Sequence, residues 1–434
     1  MLYYSTNKKA PNASLQEAVV NGLAPDGGLY MPEQIPSLPD SFYNEIGNKS
    51  LVEIANIVAD AFFGDDIPKD QLKSIIADTL NFDIPLVEIE KDIYVLELFH
   101  GPTFAFKDVG ARFMARILSY FVKERKQDDV KVLVATSGDT GSAVANGFLG
   151  VEGIQVFVLY PSGKVSEMQE AQFTTLGQNI VALEVDGTFD DCQTIVKSAF
   201  MDEELNAKLN LTSANSINVA RFLPQSFYYF YAYAQLAKQG LSRDVVFSVP
   251  SGNLGNLTAG LFAKEMGLPI NRFIAANNRN DVFNHFLKSG RYSPKSSIQT
   301  IANAMDVGDP SNFDRIFELY KGSYDDIKKD ISGYAYNDDQ IRDTIKTLFY
   351  KSGYLIDPHG ACAYLALKEG KKENETGVLL ATAHPAKFIE TVESCINSEV
   401  EIPLGLAKFL ELKKQTLKIP NDFKQFKKAL ISYS

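Results

Sequence analysis

From residue 92 onward the chain alternates short apolar runs with longer amphipathic stretches. IYVLELF, VKVLVATS, IQVFVLYP, NIVALEV, VVFSVPS, RFIAANN and GVLLATA are β-rich and nearly continuous in their hydrophobicity. Most alternate with helix-length segments such as DVGARFMARILSYFVKER, SEMQEAQFTTLG and LGNLTAGLFAKEMG. Strands apolar on both faces are buried on both faces, the habit of parallel strands covered by helices. The pattern predicts an open, doubly wound α/β fold. Ahead of it, to about Pro85, turn-rich sequence (GLAPDGGLYMPEQIPSLPD) mixes with helical patches such as LVEIANIVADAFF. This stretch reads as a small, mainly helical N-terminal domain. Between about Asn280 and Tyr350 the rhythm fades into polar, Tyr- and Asp-rich sequence (GRYSPKSSIQT, KGSYDDIKKD), read as an insertion with helical pieces. The Lys- and Phe-rich tail from Leu410 predicts a terminal helix with a solvated charged face.

A length of 434 residues suffices for two or three domains with a well-buried core. The formal net charge of −11 argues against a nucleic-acid-binding face as the main business. It leaves an anionic small substrate open, because such a substrate feels its pocket rather than the total. Cys192, Cys362 and Cys395 lie far apart with no CxxC pair, so a disulfide framework or zinc site is not expected. The N-terminus has no apolar signal-like run, and the first arginine is Arg112, unlike an Arg-rich transit peptide. No apolar run approaches the roughly 18 residues of a membrane helix. The expectation is a soluble cytoplasmic protein with no nucleic-acid or membrane partner.

Ligands of open α/β sheets collect beyond the carboxyl ends of the strands. Three such ends carry polar, small-residue turns: ATSGDTGSA (135–143), VPSGNLGNLTAG (249–260) and LATAHPAKF (380–388). In the second, Gly252, Asn253, Leu254, Gly255 and Asn256 would let backbone N–H groups approach a phosphate at a helix N-terminus. The spacing matches neither GxxxxGK[ST] nor GxGxxG, and a helix cap with glycines for tight packing explains the same residues. In the first, Ser137, Asp139 and Thr140 offer hydroxyls and a carboxylate, or act as ordinary caps. In the third, Thr382 and His384 read more naturally as structural. With four histidines, no HExxH and no GxSxG, a nucleophile or base must be sought elsewhere. Lys107 stands between Phe106 and Asp108 where a strand gives way to a helix. Aromatic neighbours and the helix dipole both lower an ammonium pKa, which makes Lys107 a candidate Schiff-base nucleophile or general base. A snorkelling surface lysine is the plainer alternative.

Taken together, YYSTNKKAP…GLAPDGGLYMP, HGPTFAFKDVGARF, ATSGDTGSA, ANSINVARFLPQ, VPSGNLGNLTAG and ATAHPAKF resemble the blocks of the threonine synthases. These are pyridoxal-phosphate enzymes of the tryptophan-synthase-β (fold type II) group, and the resemblance runs over nearly the whole chain. It implies two doubly wound, mostly parallel-sheet domains with the cofactor in the cleft between them. The expected boundaries are 1–88 for the helical N-terminal domain, 89–215 for the first α/β domain and 216–434 for the second, the last including the polar insertion near 280–350. The resemblance makes Lys107 the Schiff-base lysine of pyridoxal 5'-phosphate. Gly252, Asn253, Leu254 and Asn256 would cradle the cofactor phosphate, Gly255 shaping the turn, and Thr382 would meet the ring nitrogen. Asn215, Ser216 and Arg221 would hold the substrate phosphate, with Ser137 and Thr140 nearby. Asp139 would stand by the cofactor's phenolic oxygen, where relatives in this fold often carry Asn and where two anions would repel. The implied reaction converts O-phospho-L-homoserine and water to L-threonine and phosphate, in a monomer or small homo-oligomer. A phospholyase or dehydratase giving a 2-oxo acid, or a silent cofactor-binding homologue, are the rival readings.

Overall fold

In the computed structural model, residues 1–125 and 129–433 are described. The N-terminal region opens with a three-stranded antiparallel sheet, order β2-β1-β3, of β1 (Leu2–Ser5), β2 (Ala13–Ser14) and β3 (Tyr30–Pro32). Helices then take over. Helix Leu51–Phe63 starts with a capping box, Ser50 and Glu53 each bonding the other's backbone N–H. It buries Leu51, Ile54, Ala55, Val58, Phe62 and Phe63, the spacing of one helical face. The mainly helical expectation holds, with a small sheet that the turn-rich sequence did not reveal.

The remaining strands are β4 (Leu86–Glu90), β5 (Ile93–Glu97), β6 (Val130–Ala135), β7 (Ile154–Pro161), β8 (Ile180–Asp186), β9 (Asn210–Ser213), β10 (Val245–Pro250), β11 (Ile270–Asn277), β12 (Ile331–Ala335), β13 (Thr376–Ala381) and β14 (Leu417–Pro420). They form two sheets, ordered β12-β11-β10-β13-β5-β4 and β14-β8-β7-β6-β9. Every ladder is parallel except β4 on β5. Each of the seven apolar runs is a strand. β6, β10 and β13 are buried at every residue, as strands covered on both faces must be.

Sheet membership crosses the boundaries drawn at 88/89 and 215/216. β5 lies in the six-stranded sheet beside β13, and β14, near the end of the chain, joins the five-stranded sheet beside β8. β5 fits there because its two faces serve two cores: Tyr94 and Leu96 enter the large cluster shared by both sheets, Ile93 and Val95 the outer one. The 280–350 segment has the expected helical pieces and also supplies β12, an edge strand of the six-stranded sheet. The carboxyl ends of β6, β9, β10 and β13 all open on one cavity. Among the described residues no helix is long and apolar enough to cross a membrane.

Candidate active site

Lys107 opens the helix Lys107–Arg125. The chain before it leaves β5, doubles back and lies along the end of β13. Ala105 bridges Ala383, the Phe106 N–H donates to the Thr382 carbonyl at 2.9 Å, and the His384 N–H donates to the Phe104 carbonyl at 3.0 Å. This docking brings Lys107 and Thr382 to the same wall of the cavity. Asp108, buried, fastens the first helical turn by accepting from the Thr103 N–H at 2.9 Å and the Thr103 hydroxyl at 2.5 Å. The Tyr228 hydroxyl donates to the Phe106 carbonyl, and Arg221 Nη1 donates to the Lys107 carbonyl at 2.9 Å. With its backbone held on three sides, Lys107 projects its amine from a fixed base.

Burial draws the Lys107 pKa down to about 8; Asp139 opposes that shift, while the cations Arg221 and Lys387 reinforce it. Its Nζ lies 5.8 Å from the centre of the Phe106 ring. Desolvation was legible in the sequence, the two flanking cations were not. The result is an amine far more often neutral near pH 7 than an ordinary lysine, as a carbonyl-attacking lysine needs.

The turn after β10 faces Lys107 across a cavity of about 410 Å³. Leu254 adopts a left-handed conformation (φ 61°) and caps helix Gly255–Glu265 without a side-chain hydrogen bond. The backbone N–H groups of Gly252, Asn253, Leu254, Gly255 and Asn256 have no acceptor among the described residues. Consecutive unsatisfied N–H groups at a helix N-terminus make an anion cradle. Gly252 has to be glycine: a Cβ there would stand 2.9 Å from the Ala304 carbonyl oxygen and the Met305 Cα. Side chains support the turn from behind, with Asn256 Nδ2 on the Pro250 carbonyl and Asn277 Nδ2 on the Ser251 carbonyl, both at 2.8 Å.

A second group of polar residues follows β9. Asn215, Ser216 and Arg221 line the cavity, and Arg221 is buried. Its Nε donates to the Ala214 carbonyl at 2.8 Å, while Nη2 has no acceptor among the described residues and stays available to a phosphate. Gly110 makes room for it, since a Cβ would come within 2.9 Å of Arg221 Nη1. Ser137 and Thr140 line the same cavity from the turn after β6, and Thr382 from the end of β13, its hydroxyl without a partner among the described residues. The residues fit pyridoxal phosphate: an amine, a phosphate cradle and a neutral hydroxyl share one wall-to-wall space.

Asp139 alone of the candidate residues does not line the cavity. Its carboxylate accepts from Gln169 Nε2 at 2.9 Å and pairs with Lys387 at 2.6 Å, both partners buried. Burial by itself would raise the Asp139 pKa; Lys387 first, then Lys107 and the hydrogen bonds, hold it well below the usual carboxylate range. Lys387 neutralises this carboxylate, and its Nζ also donates to the Thr103 carbonyl at 2.8 Å. Lys387 lies in the ATAHPAKF block, one turn beyond the residues that drew attention. His384, in the same block, is structural as expected: Nδ1 accepts from the Ala386 N–H at 3.1 Å, the ring packs on Phe99 and Phe104, and burial pushes its pKa down to about 4. The sequence also gave no hint of His359. Its Nδ1 faces Asp357 at 2.5 Å and its Nε2 accepts from the Ala304 N–H at 3.1 Å, which holds the insertion's 303–305 stretch against Gly252.

The class of the protein follows from comparison of this fold and cleft with known families. Residues 79–382 match the family model described as pyridoxal-phosphate dependent enzyme. Residues 2–80 match the threonine synthase N terminus and residues 359–430 the threonine synthase C-terminal domain. Over 432 residues the chain is 45 % identical to the threonine synthase of Haemophilus influenzae, covering 99 % of this chain and 100 % of that protein. The solved threonine synthase of Escherichia coli superposes with a TM-score of 0.94 at 42 % identity, covering both chains in full. The PLP-bound threonine synthase of Brucella melitensis gives a TM-score of 0.93 at 36 % identity, covering 100 % of this chain and 99 % of that one. The chain belongs to the threonine synthases.

Proposed function

We propose that the cleft converts O-phospho-L-homoserine and water to L-threonine and phosphate, with Lys107 carrying the cofactor and moving protons. The observation that carries this reading is the pairing of two anion-binding turns, Gly252–Asn256 and Asn215–Arg221, with Lys107 in one cavity. One anion site serves the cofactor phosphate, the other the substrate phosphate. The Gly252–Asn256 amides hold the former, and Thr382 meets the ring nitrogen as a neutral hydrogen-bonding partner. When bound, the cofactor supplies an electron sink for negative charge that develops on the substrate carbons. Lys107 takes the proton from Cα and returns it at the end. Between those events a Cβ proton leaves, the Cγ–O bond breaks and phosphate departs into the grip of Arg221, Ser216 and Asn215; a proton is gained at Cγ, and water gives its hydroxyl to Cβ and its remaining proton to the departing phosphate. A guanidinium suits this departure because its permanent charge and open Nη2 donors meet the oxygens of the leaving phosphate. Ser137 and Thr140 face the substrate's other end. Asp139 acts from behind the wall, on the charge of Lys107.

The reading carries with it a cytoplasmic setting, in keeping with three unpaired, buried cysteines, and a monomer or small homo-oligomer. Product analysis tests it. The cofactor-loaded enzyme is expected to release threonine and inorganic phosphate in equal amounts from O-phospho-L-homoserine. Release of 2-oxobutyrate without threonine would overturn it in favour of a lyase.

A further inference from the structure

The insertion near 280–350 carries none of the motifs that mark the cleft, yet it buries a whole guanidinium beside it. Arg315, in helix Phe313–Leu319, is fully buried. A cation removed from water ordinarily faces a carboxylate, because an unpaired buried charge is costly. Arg315 makes no ion pair among the described residues, and every acceptor it has is neutral. Nη1 donates to the Ser216 carbonyl at 2.9 Å and to Asn312 Oδ1 at 2.7 Å. Nη2 donates to the Ile217 carbonyl at 2.5 Å and Nε to the Tyr30 carbonyl at 3.1 Å. The guanidinium carbon lies 4.1 Å from the centre of the Phe222 ring. Even with its pKa drawn down to about 9 by burial, the group is charged at neutral pH.

These acceptors share an address. Ser216 and Ile217 form the turn between β9 and helix Val219–Phe222, and Ser216 lines the cavity. By drawing two successive carbonyls to itself, Arg315 keeps their negative ends off an anion bound at that turn. Its neighbours reach the other anion site. Asn312 Nδ2 donates to the Asn253 carbonyl at 3.0 Å and to Ser216 Oγ at 3.2 Å, while the Ser311 N–H donates to Asn253 Oδ1 at 2.6 Å. One short stretch of the insertion thus fastens both turns and leaves beside them a positive charge that acts on the nearby Asp314 carboxylate but forms no ion pair among the described residues.

We propose that Arg315 is a positioning residue for the two phosphate sites. It fixes the Ser216–Ile217 turn, and its charge, hydrogen-bonded only to neutral acceptors, is the protein's standing counterweight to the phosphates that bind there. The proposal rests on the reading of the cleft as one that takes two phosphates, but its test does not depend on turnover. The probe is inorganic phosphate, titrated calorimetrically into cofactor-loaded enzyme. Arg315→Met removes charge and fork; Arg315→Lys keeps the charge and loses the fork. Phosphate affinity is expected to fall at least tenfold in Arg315→Met and to recover partly in Arg315→Lys. KM for the phosphorylated substrate should rise in the same order while kcat changes less. A folded Arg315→Met chain with unchanged phosphate affinity, or equal losses in the two variants, would overturn the proposal. Should the Met variant not fold, Arg315→Lys and Asn312→Ala decide: a several-fold loss of phosphate affinity in both supports it, and wild-type affinity in either sinks it. If the wild-type enzyme made a 2-oxo acid instead of threonine, the proposed reaction would fall while these binding results stood.

Discussion

The turn after β6 and the turn after β10 both run from a fully buried parallel strand into a helix that starts at the cleft, but only the first brings a charge of its own. In the first, the Thr136 hydroxyl accepts from the N–H groups of Gly138 at 2.9 Å and Gly141 at 2.8 Å. Asp139 then sits in the opening helical turn, where the dipole favours an anion, and Lys387 neutralises it. In the second, no acidic residue occupies the first turn, no side chain caps the helix, and five successive N–H groups have no partner among the described residues. One helix start is completed by the protein, while the other keeps its donors open among the described residues. The difference shows why the two similar strand-turn-helix patterns carry different roles: an anion is drawn to a turn that holds none.

The comparison can be broken most forcefully at Lys387. Lys387→Met strands a buried carboxylate and is expected to destabilise the chain by about 3–5 kcal/mol, read as a fall in the denaturation midpoint at neutral pH. A loss below 1 kcal/mol would mean that Asp139 is not balanced as described. Gly252→Ala acts on the other turn. Its Cβ collides with the Ala304 carbonyl and Met305, and by the cost of overpacking, roughly 1–3 kcal/mol, cofactor affinity should drop about tenfold to a hundredfold, measured by fluorescence titration. Thr136→Val removes the acceptor for two buried N–H groups. It should cost about 1–2 kcal/mol of stability and leave cofactor affinity nearly unchanged; a larger effect on affinity than on stability would erase the distinction between the turns. The smallest effect is on pH dependence. Attachment of the cofactor needs the neutral Lys107 amine, so its rate should rise with pH and level off above about 8. Asp139→Asn removes the one group that raises the Lys107 pKa, so the same curve should move to lower pH in stopped-flow absorbance.

What could be read from sequence follows from where information is local. The seven apolar strands announced themselves because both their faces are apolar. β9 (NLTS), β12 (ISGYA) and β14 (LKIP) are short edge strands with half-exposed residues, and their sequences look like loops. Which strand joins which sheet is a matter of neighbours, so β5 and β14 fell on the unexpected side of the drawn boundaries. At the site, Lys107 was legible because its strain is local: an ammonium among aromatics at a helix start. Arg315 and Asn312 gave no such signal. They work through carbonyls contributed from Tyr30, Ser216 and Asn253, distant in sequence, with no turn motif of their own. Lys387 stood inside a quoted block, yet its importance depends on Asp139, nearly 250 positions earlier, and only the fold brings them together.

The sheet whose strand β6 leads into the Asp139 turn gains its outermost strand only at Leu417–Pro420, and β5 waits for β13 across most of the chain. During synthesis, therefore, neither sheet can close while the ribosome is still working through the middle of the message. β8 spends that time with an open hydrogen-bonding edge, and β5 is an apolar ribbon without its parallel neighbour. Unpaired edges of this kind invite pairing with other chains, and distant pairings slow folding. The interlocked connectivity that unites the two halves around one cleft thus prolongs the interval in which the nascent chain is open to wrong pairing.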